Sequence, residues 1–318
     1  MKKTILVSII FLAGLISCSK EDLNTDKKID SSDRYDFPQG TQNWDNEIIE
    51  IYSQYKTKLI YKGFKKSDFN LSWTTMGGNI MGDDMKENDI SRSVEFMKNN
   101  IFKFLNSSFS KNLLPPYIYL AHDVRTYTLS TTTERVAPLA LKIDGMDFWS
   151  ICLTGETPWQ ILNSGPIQYL TGKIEFPEKP YDVFYKRGMI LKEIFKMAVT
   201  KGKIKVPTDF NNDFDFTTAI VSTAGSEGSV NNYKRRGFPG QIRTVPTFDF
   251  SALPNISSTS AERNFIDYIH LCMRYTITEL EAIYPKSQFP VIHAKYKECA
   301  DYILREYQVD LSEISDKK

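Results

Sequence analysis

The sequence predicts an α+β fold, a single domain with a mixed sheet in its N-terminal half and a helical C-terminal half. Three observations carry this reading. Short apolar runs divided by turn residues crowd between residues 117 and 153, as strands do. Tyr181 to Thr200 carries an unbroken helical stripe. From Thr259 to Tyr307 the apolar spacing is again helical.

Taken in order, Thr41 to Tyr55 spaces Trp44, Ile48, Ile51, Tyr52 and Tyr55 on one helical face, with Thr41 or Asn43 as the N-cap. Lys58–Phe64 and Phe69–Thr74 read as short strands divided by the polar run from Lys65 to Asp68. Asn88 to Leu105 forms a second helix on Ile90, Val94, Met97, Ile101 and Leu105. Pro115 and Pro116 stop the chain before a strand at Tyr117–Leu120. Val124–Ser130, Ala137–Ile143 and Asp147–Leu153 are further strands, with Asp144-Gly145 as a turn. The Tyr181–Thr200 helix buries Phe184, Ile190, Leu191, Ile194, Phe195 and Ala198. Asn211 to Phe250 is rich in Gly, Asn and Asp and reads as irregular. Thr259-Ser260-Ala261-Glu262 fits a capping box that opens a helix running to Tyr284, and Phe289–Tyr307 is the last helix.

Composition excludes several classes. Across 318 residues, 40 Lys+Arg against 39 Asp+Glu give a net charge of +1, without the basic excess that nucleic-acid binding needs. A mean hydropathy of −0.35 argues against a many-span membrane protein. Four cysteines and no C-x-x-C remove the zinc-ribbon and thioredoxin readings. Of Cys152, Cys272 and Cys299, at most two can pair, so the fold is not a disulfide framework.

The first residues read as an export signal. Lys2 and Lys3 precede an apolar run from Ile5 to Ile16, too short to span a bilayer, and Leu15-Ile16-Ser17-Cys18 resembles a bacterial lipobox. The expectation is a signal peptide at residues 1–17, lipidation of Cys18, a flexible tether over 18–34 and a folded domain from 35 to 318. Ser19-Lys20-Glu21-Asp22-Leu23 is similar to the charged tether of Bacteroidetes surface lipoproteins, which implies an outer-membrane location facing the cell surface. Losing Lys2 and Lys3 turns the +1 into −1.

Catalytic signatures are few. His122, His270 and His293 are widely separated, and each reads as structural or surface. No G-x-S-x-G elbow, Walker loop or G-x-G-x-x-G occurs. Trp44, Trp73, Trp149 and Trp159 fall in or beside expected elements, where a core role is commoner than a sugar-stacking one. Lys234-Arg235-Arg236 reads as a solvated basic loop.

Lys192-Glu193-Ile194-Phe195-Lys196 by itself is a common helix edge. Its context includes the opening Phe37-Pro38-Gln39-Gly40-Thr41-Gln42-Asn43-Trp44-Asp45, the segment Glu262-Arg263-Asn264-Phe265-Ile266-Asp267 and the ending from Ala300 to Leu311. Together these resemble the Bacteroidetes substrate import-associated zinc metallohydrolase lipoproteins, zincin-like proteins with H-E-x-x-H on a central helix and an acidic ligand downstream. The resemblance implies a zincin-like domain in which Lys192 and Lys196 occupy the two histidine positions. Glu193 keeps the general-base position, and Asp267 falls at the acidic ligand. Zinc needs imidazole, thiolate or carboxylate lone pairs, which an ammonium lacks. The expected cofactor set is therefore none, with zinc lost. Lys192 or Lys196 is expected either to pair with Asp267, an ammonium where the metal stood, or to point to solvent.

The expected function is a non-catalytic accessory of a nutrient import system. The resemblance implies a TonB-dependent importer and a SusD-type lipoprotein as partners, with no nucleic acid, and a role in binding a peptide or glycan or in bracing the assembly. Two alternatives stand beside it: an active hydrolase using Glu193 or unrecognised ligands, and an unrelated structural surface lipoprotein.

Overall fold

Strand β3 (Tyr117–Leu129) is the spine of the molecule. Its first half lies between two parallel neighbours, β1 (Lys58–Ile60) and β6 (Phe148–Cys152). Its second half lies between two antiparallel ones, β2 (Ile80–Asp83) and β4 (Glu134–Pro138). β5 (Leu141–Lys142) pairs antiparallel with β6, and β7 (Trp159–Ile161) and β8 (Gln168–Thr171) continue the sheet beyond β4. The structure, a computed structural model, describes residues 34–72, 79–129, 134–162, 168–223, 225–242, 248–251 and 259–317, and Phe37–Lys318 forms one compact unit. The expected leader, Cys18 and Trp73 lie outside the described residues, as do all of the expected tether except Arg34 and the end of the expected strand at Phe69–Thr74.

The sequence predicts two separate strands here, Tyr117–Leu120 and Val124–Ser130. Asp123 does adopt a left-handed conformation (φ 49°), which Asp tolerates better than most residues. The chain nevertheless continues, because the Asp123 carboxylate accepts bonds from the Glu156 amide (2.9 Å), the Thr157 amide (2.8 Å) and the Thr157 hydroxyl (2.6 Å). This anchored kink turns β3 from its parallel to its antiparallel neighbours. The expected strand at Phe69–Thr74 is instead a 3-10 turn over Asp68–Asn70, while β2, β7 and β8 carry too little alternation to be read in advance.

The helices are α1 (Asn43–Tyr55), α2 (Glu87–Asn100), the short α3 (Ser107–Ser110) and α4 (Pro180–Thr200), then α5 (Ala261–Arg274), α6 (Ile277–Ile283), α7 (Pro290–Tyr307) and α8 (Leu311–Ser315). Gln42, rather than Thr41 or Asn43, caps α1, in a reciprocal box with Asp45. Ser260 caps α5, accepting from the Arg263 amide at 3.2 Å, so Thr259 does not open the helix. The helix expected to run to Tyr284 breaks at Tyr275. There Thr276 and Glu279 form a second capping box, and the Arg274 Nε donates to the Phe248 carbonyl at 2.9 Å. Among the described residues of 211–250, β9 (Gln241–Ile242) and the first residue of β10 (Phe250–Ser251) are the only strand residues, in keeping with the irregular reading.

The stripe expected on α4 is buried throughout. Unexpectedly, so are Lys192 and Glu193, because α4 is covered on more than one side and α5 packs against it. Gly188 makes room for this packing, since a Cβ there would lie 2.1 Å from the Phe248 ring.

Candidate functional site

The two helices that carry the candidate residues meet side by side. The His270 ring, fully buried on α5, places Nε2 at 2.9 Å from the Lys192 backbone carbonyl on α4. A carbonyl only accepts, so Nε2 carries the proton and the Nδ1 lone pair points inward without a hydrogen-bond partner. Burial, together with the Lys192, Arg263 and Lys196 cations, pushes the His270 pKa down to about 3.

On α4, Glu193 receives a cation at each carboxylate oxygen. The Lys192 Nζ lies 3.6 Å from Oε1 and the Lys196 Nζ lies 3.6 Å from Oε2. Lys192 is only 1% exposed, and burial lowers its pKa against the pull of Glu193. Lys196 reaches outward, its side chain 43% exposed. Thus one lysine of the motif is a core residue and the other caps the site from outside.

On α5, Asp267 is 3% exposed and pairs with Arg263 one turn earlier, with Nε at 3.1 and 3.3 Å from its two oxygens. The Arg263 guanidinium also donates to the Gln241 side chain. Burial raises the Asp267 carboxyl to about 7, with the Arg263 and Lys196 charges opposing. The expected pairing of Lys192 or Lys196 with Asp267 is therefore corrected. The i to i+4 geometry within α5 supplies Arg263 first, and the nearest carboxylate to either lysine is Glu193 on their own helix.

The sequence-predicted positions thus converge: Lys192, Glu193, Lys196 and Asp267 lie around one interhelical seam, with three cations facing two carboxylates. His270, which reads from the sequence as structural or surface, belongs to the same seam. Its spacing of three from Asp267 on a helix was the available signal. His122, with Nδ1 at 2.9 Å from the Thr154 hydroxyl, and His293, with Nε2 at 2.6 Å from the Tyr284 carbonyl, sit on other elements. The basic loop is less solvated than expected. The Arg236 NH1 donates to the Thr218 and Ala219 carbonyls, the Arg235 Nε donates to the Glu227 carbonyl, and Lys234 lies over the Tyr233 and Tyr284 rings.

The donor set of the seam does not match a zinc centre. Each carboxylate already faces a cation of the chain, and among the described residues no three His, Cys, Asp or Glu side chains converge as a metal-binding group.

No family model matches the chain, and no curated protein matches it. Among solved structures, the chain is similar to the crystal structure of a "putative zinc-binding metallo-peptidase" from Bacteroides caccae ATCC 43185. The TM-score is 0.42 and the identity 9%, over 86% of this chain and 89% of that one.

Proposed function

We propose that this chain is a lipid-anchored outer-membrane protein whose domain is zincin-like but non-catalytic, an accessory of a nutrient import system. The observation that supports this reading is that both candidate carboxylates already face cations of the chain itself. A metal-dependent hydrolase needs an open cation site with carboxylate or imidazole lone pairs turned toward it, and a base that can reach water. Here Glu193 is 6% exposed and lies between two ammonium groups, while Asp267 lies beneath a guanidinium.

The cations of the chain then balance the buried carboxylates within each helix, Lys192 and Lys196 at Glu193 and Arg263 at Asp267. In this reading the partners are a TonB-dependent importer and a SusD-type lipoprotein, with the domain binding a peptide or glycan or bracing the assembly. The supporting features are the lipobox at Cys18 and the resemblance of the segments around Trp44, Asp267 and Tyr302.

Zinc titration of the purified full chain by isothermal calorimetry tests the loss of the metal. No stoichiometric heat at micromolar zinc is expected. A one-to-one isotherm that disappears in Glu193→Gln overturns the reading and favours an active hydrolase.

A further inference from the structure

Two thiols outside the seam remain unassigned. Cys272, in the last turn of α5, and Cys299, in the middle of α7, are both fully buried where these helices pack. The Cys272 Sγ lies 3.4 Å from the Tyr296 carbonyl, one turn before Cys299 on the same face of α7. Both are free thiols, and the extensive packing of α5 against α7 places them at the same helix interface. Cys152 is held apart on β6, where its Sγ accepts from the Val124 amide at 3.3 Å and donates to the Thr154 carbonyl at 3.2 Å.

We propose that Cys272 and Cys299 are a disulfide site that cross-links α5 to α7. The site adds a covalent tie to the helix that carries Arg263, Asp267 and His270, and it does not depend on the functional reading above. The oxidant is a small or protein-borne disulfide such as oxidised glutathione. One cysteine thiolate attacks a glutathione sulfur, forming a mixed disulfide and releasing one glutathione thiolate. The second cysteine, losing its proton, attacks the protein sulfur of that mixed disulfide and expels the second glutathione. Two protein thiols and one glutathione disulfide thus become one protein disulfide and two glutathione thiols.

Timing follows from burial. Burial holds the Cys299 thiol well above its ordinary pKa, so the thiolate is scarce once the helices have closed. Exchange therefore belongs to the folding chain, before α7 docks, and docking then brings the correct pair together. Cys152, without a neighbouring thiol among these, is left reduced.

The test refolds the full chain from denaturant in glutathione buffer, once oxidising and once with excess reduced glutathione. Each sample is quenched in acid, alkylated with iodoacetamide under denaturing conditions and peptide-mapped without reduction. The expected result in the oxidising sample is a linked peptide joining Cys272 to Cys299, two hydrogens lighter than the separate peptides, with Cys152 alkylated. The oxidised chain, and the oxidised Cys152→Ala variant, should melt several degrees above their reduced forms, while Cys299→Ala should show no such difference. Alkylation of both Cys272 and Cys299 after oxidative refolding overturns the proposal, as does a link from either to Cys152. A cross-linked chain that melts no higher than the reduced one overturns the bracing role.

Discussion

At the scale of the residue, the seam is a set of coupled charges whose energetics depend on burial. Glu193 faces a nearly inaccessible ammonium, and breaking such a pair by removing one partner leaves an uncompensated buried charge. Glu193→Gln should destabilise the fold by about 2–4 kcal/mol, read from urea denaturation midpoints. The double variant Lys192→Met with Glu193→Gln should recover most of that loss, because replacing both partners removes the desolvation cost as well as the attraction. A double variant as unstable as Glu193→Gln would show that the lysine stem, and not the charge balance, governs the seam.

The same residues give the seam opposing pH responses. Asp267 has a folded-state pKa of about 7 against an ordinary 3.8, so the folded chain holds its proton through a window where the unfolded chain has lost it. Its stabilising contribution is complete below 3.8 and is lost as pH rises through about 7. His270, held at about 3 against 6.5, acts in the other direction, its contribution present above 6.5 and lost as pH falls toward 3. Stability of Asp267→Asn relative to wild type should therefore climb between pH 4 and 7, with a slope approaching ~1.4 kcal/mol per pH unit. A flat difference across that range would place the Asp267 titration in its ordinary region.

At the scale of the element, α4 is defined by what covers it. Phe248 lies against Gly188, the Arg274 guanidinium lies over the Phe184 and Phe248 rings, and the Tyr185 hydroxyl donates to Asp249 at 3.0 Å. This clamp joins the end of α5 to the middle of α4 near the seam. Gly188→Ala gains helix propensity of up to about 1 kcal/mol, but its methyl overlaps the Phe248 ring. Overpacking should dominate, with a net loss of about 1–3 kcal/mol by chemical denaturation. Pairing it with Phe248→Leu should lessen the penalty, and an unchanged midpoint in Gly188→Ala alone would contradict the close packing.

Legibility in the sequence differed by element for physical reasons. The α4 stripe was readable because six apolar residues recur at helical spacing, and α7 because Pro290 opens a long periodic run. The kink within β3 was not, because Asp123 gains its bonds from residues more than thirty positions away. The break between α5 and α6 was missed because the apolar pattern continues across it, while the cap at Thr276 and the tie from Arg274 to Phe248 decide where the helix ends. Lys192 and Glu193 gave no sign of burial, since a Lys-Glu pair on a helix is normally solvated and it is tertiary packing, α5 included, that covers α4.

At the scale of the whole molecule, anchoring and fold are separate questions. Among the described residues no helix is long and apolar enough to cross a membrane. The attachment proposed above is by acyl chains at Cys18, each buried methylene contributing ~0.8 kcal/mol. Cells expressing the full chain and fed labelled palmitate should yield a labelled, detergent-extracted protein, and Cys18→Ala should lose the label. Equal labelling of the variant would remove the anchor.

The sequence alone determined the α+β class and the helical half, because periodicity is a local property, while Lys192, Glu193, Lys196 and Asp267 were singled out by the resemblance to a known family. Tertiary structure decided which of these charges are buried. Burial depends on two helices from distant parts of the chain closing on each other, whereas the pairs of Arg263 with Asp267 and of both lysines with Glu193 follow from spacing within each helix.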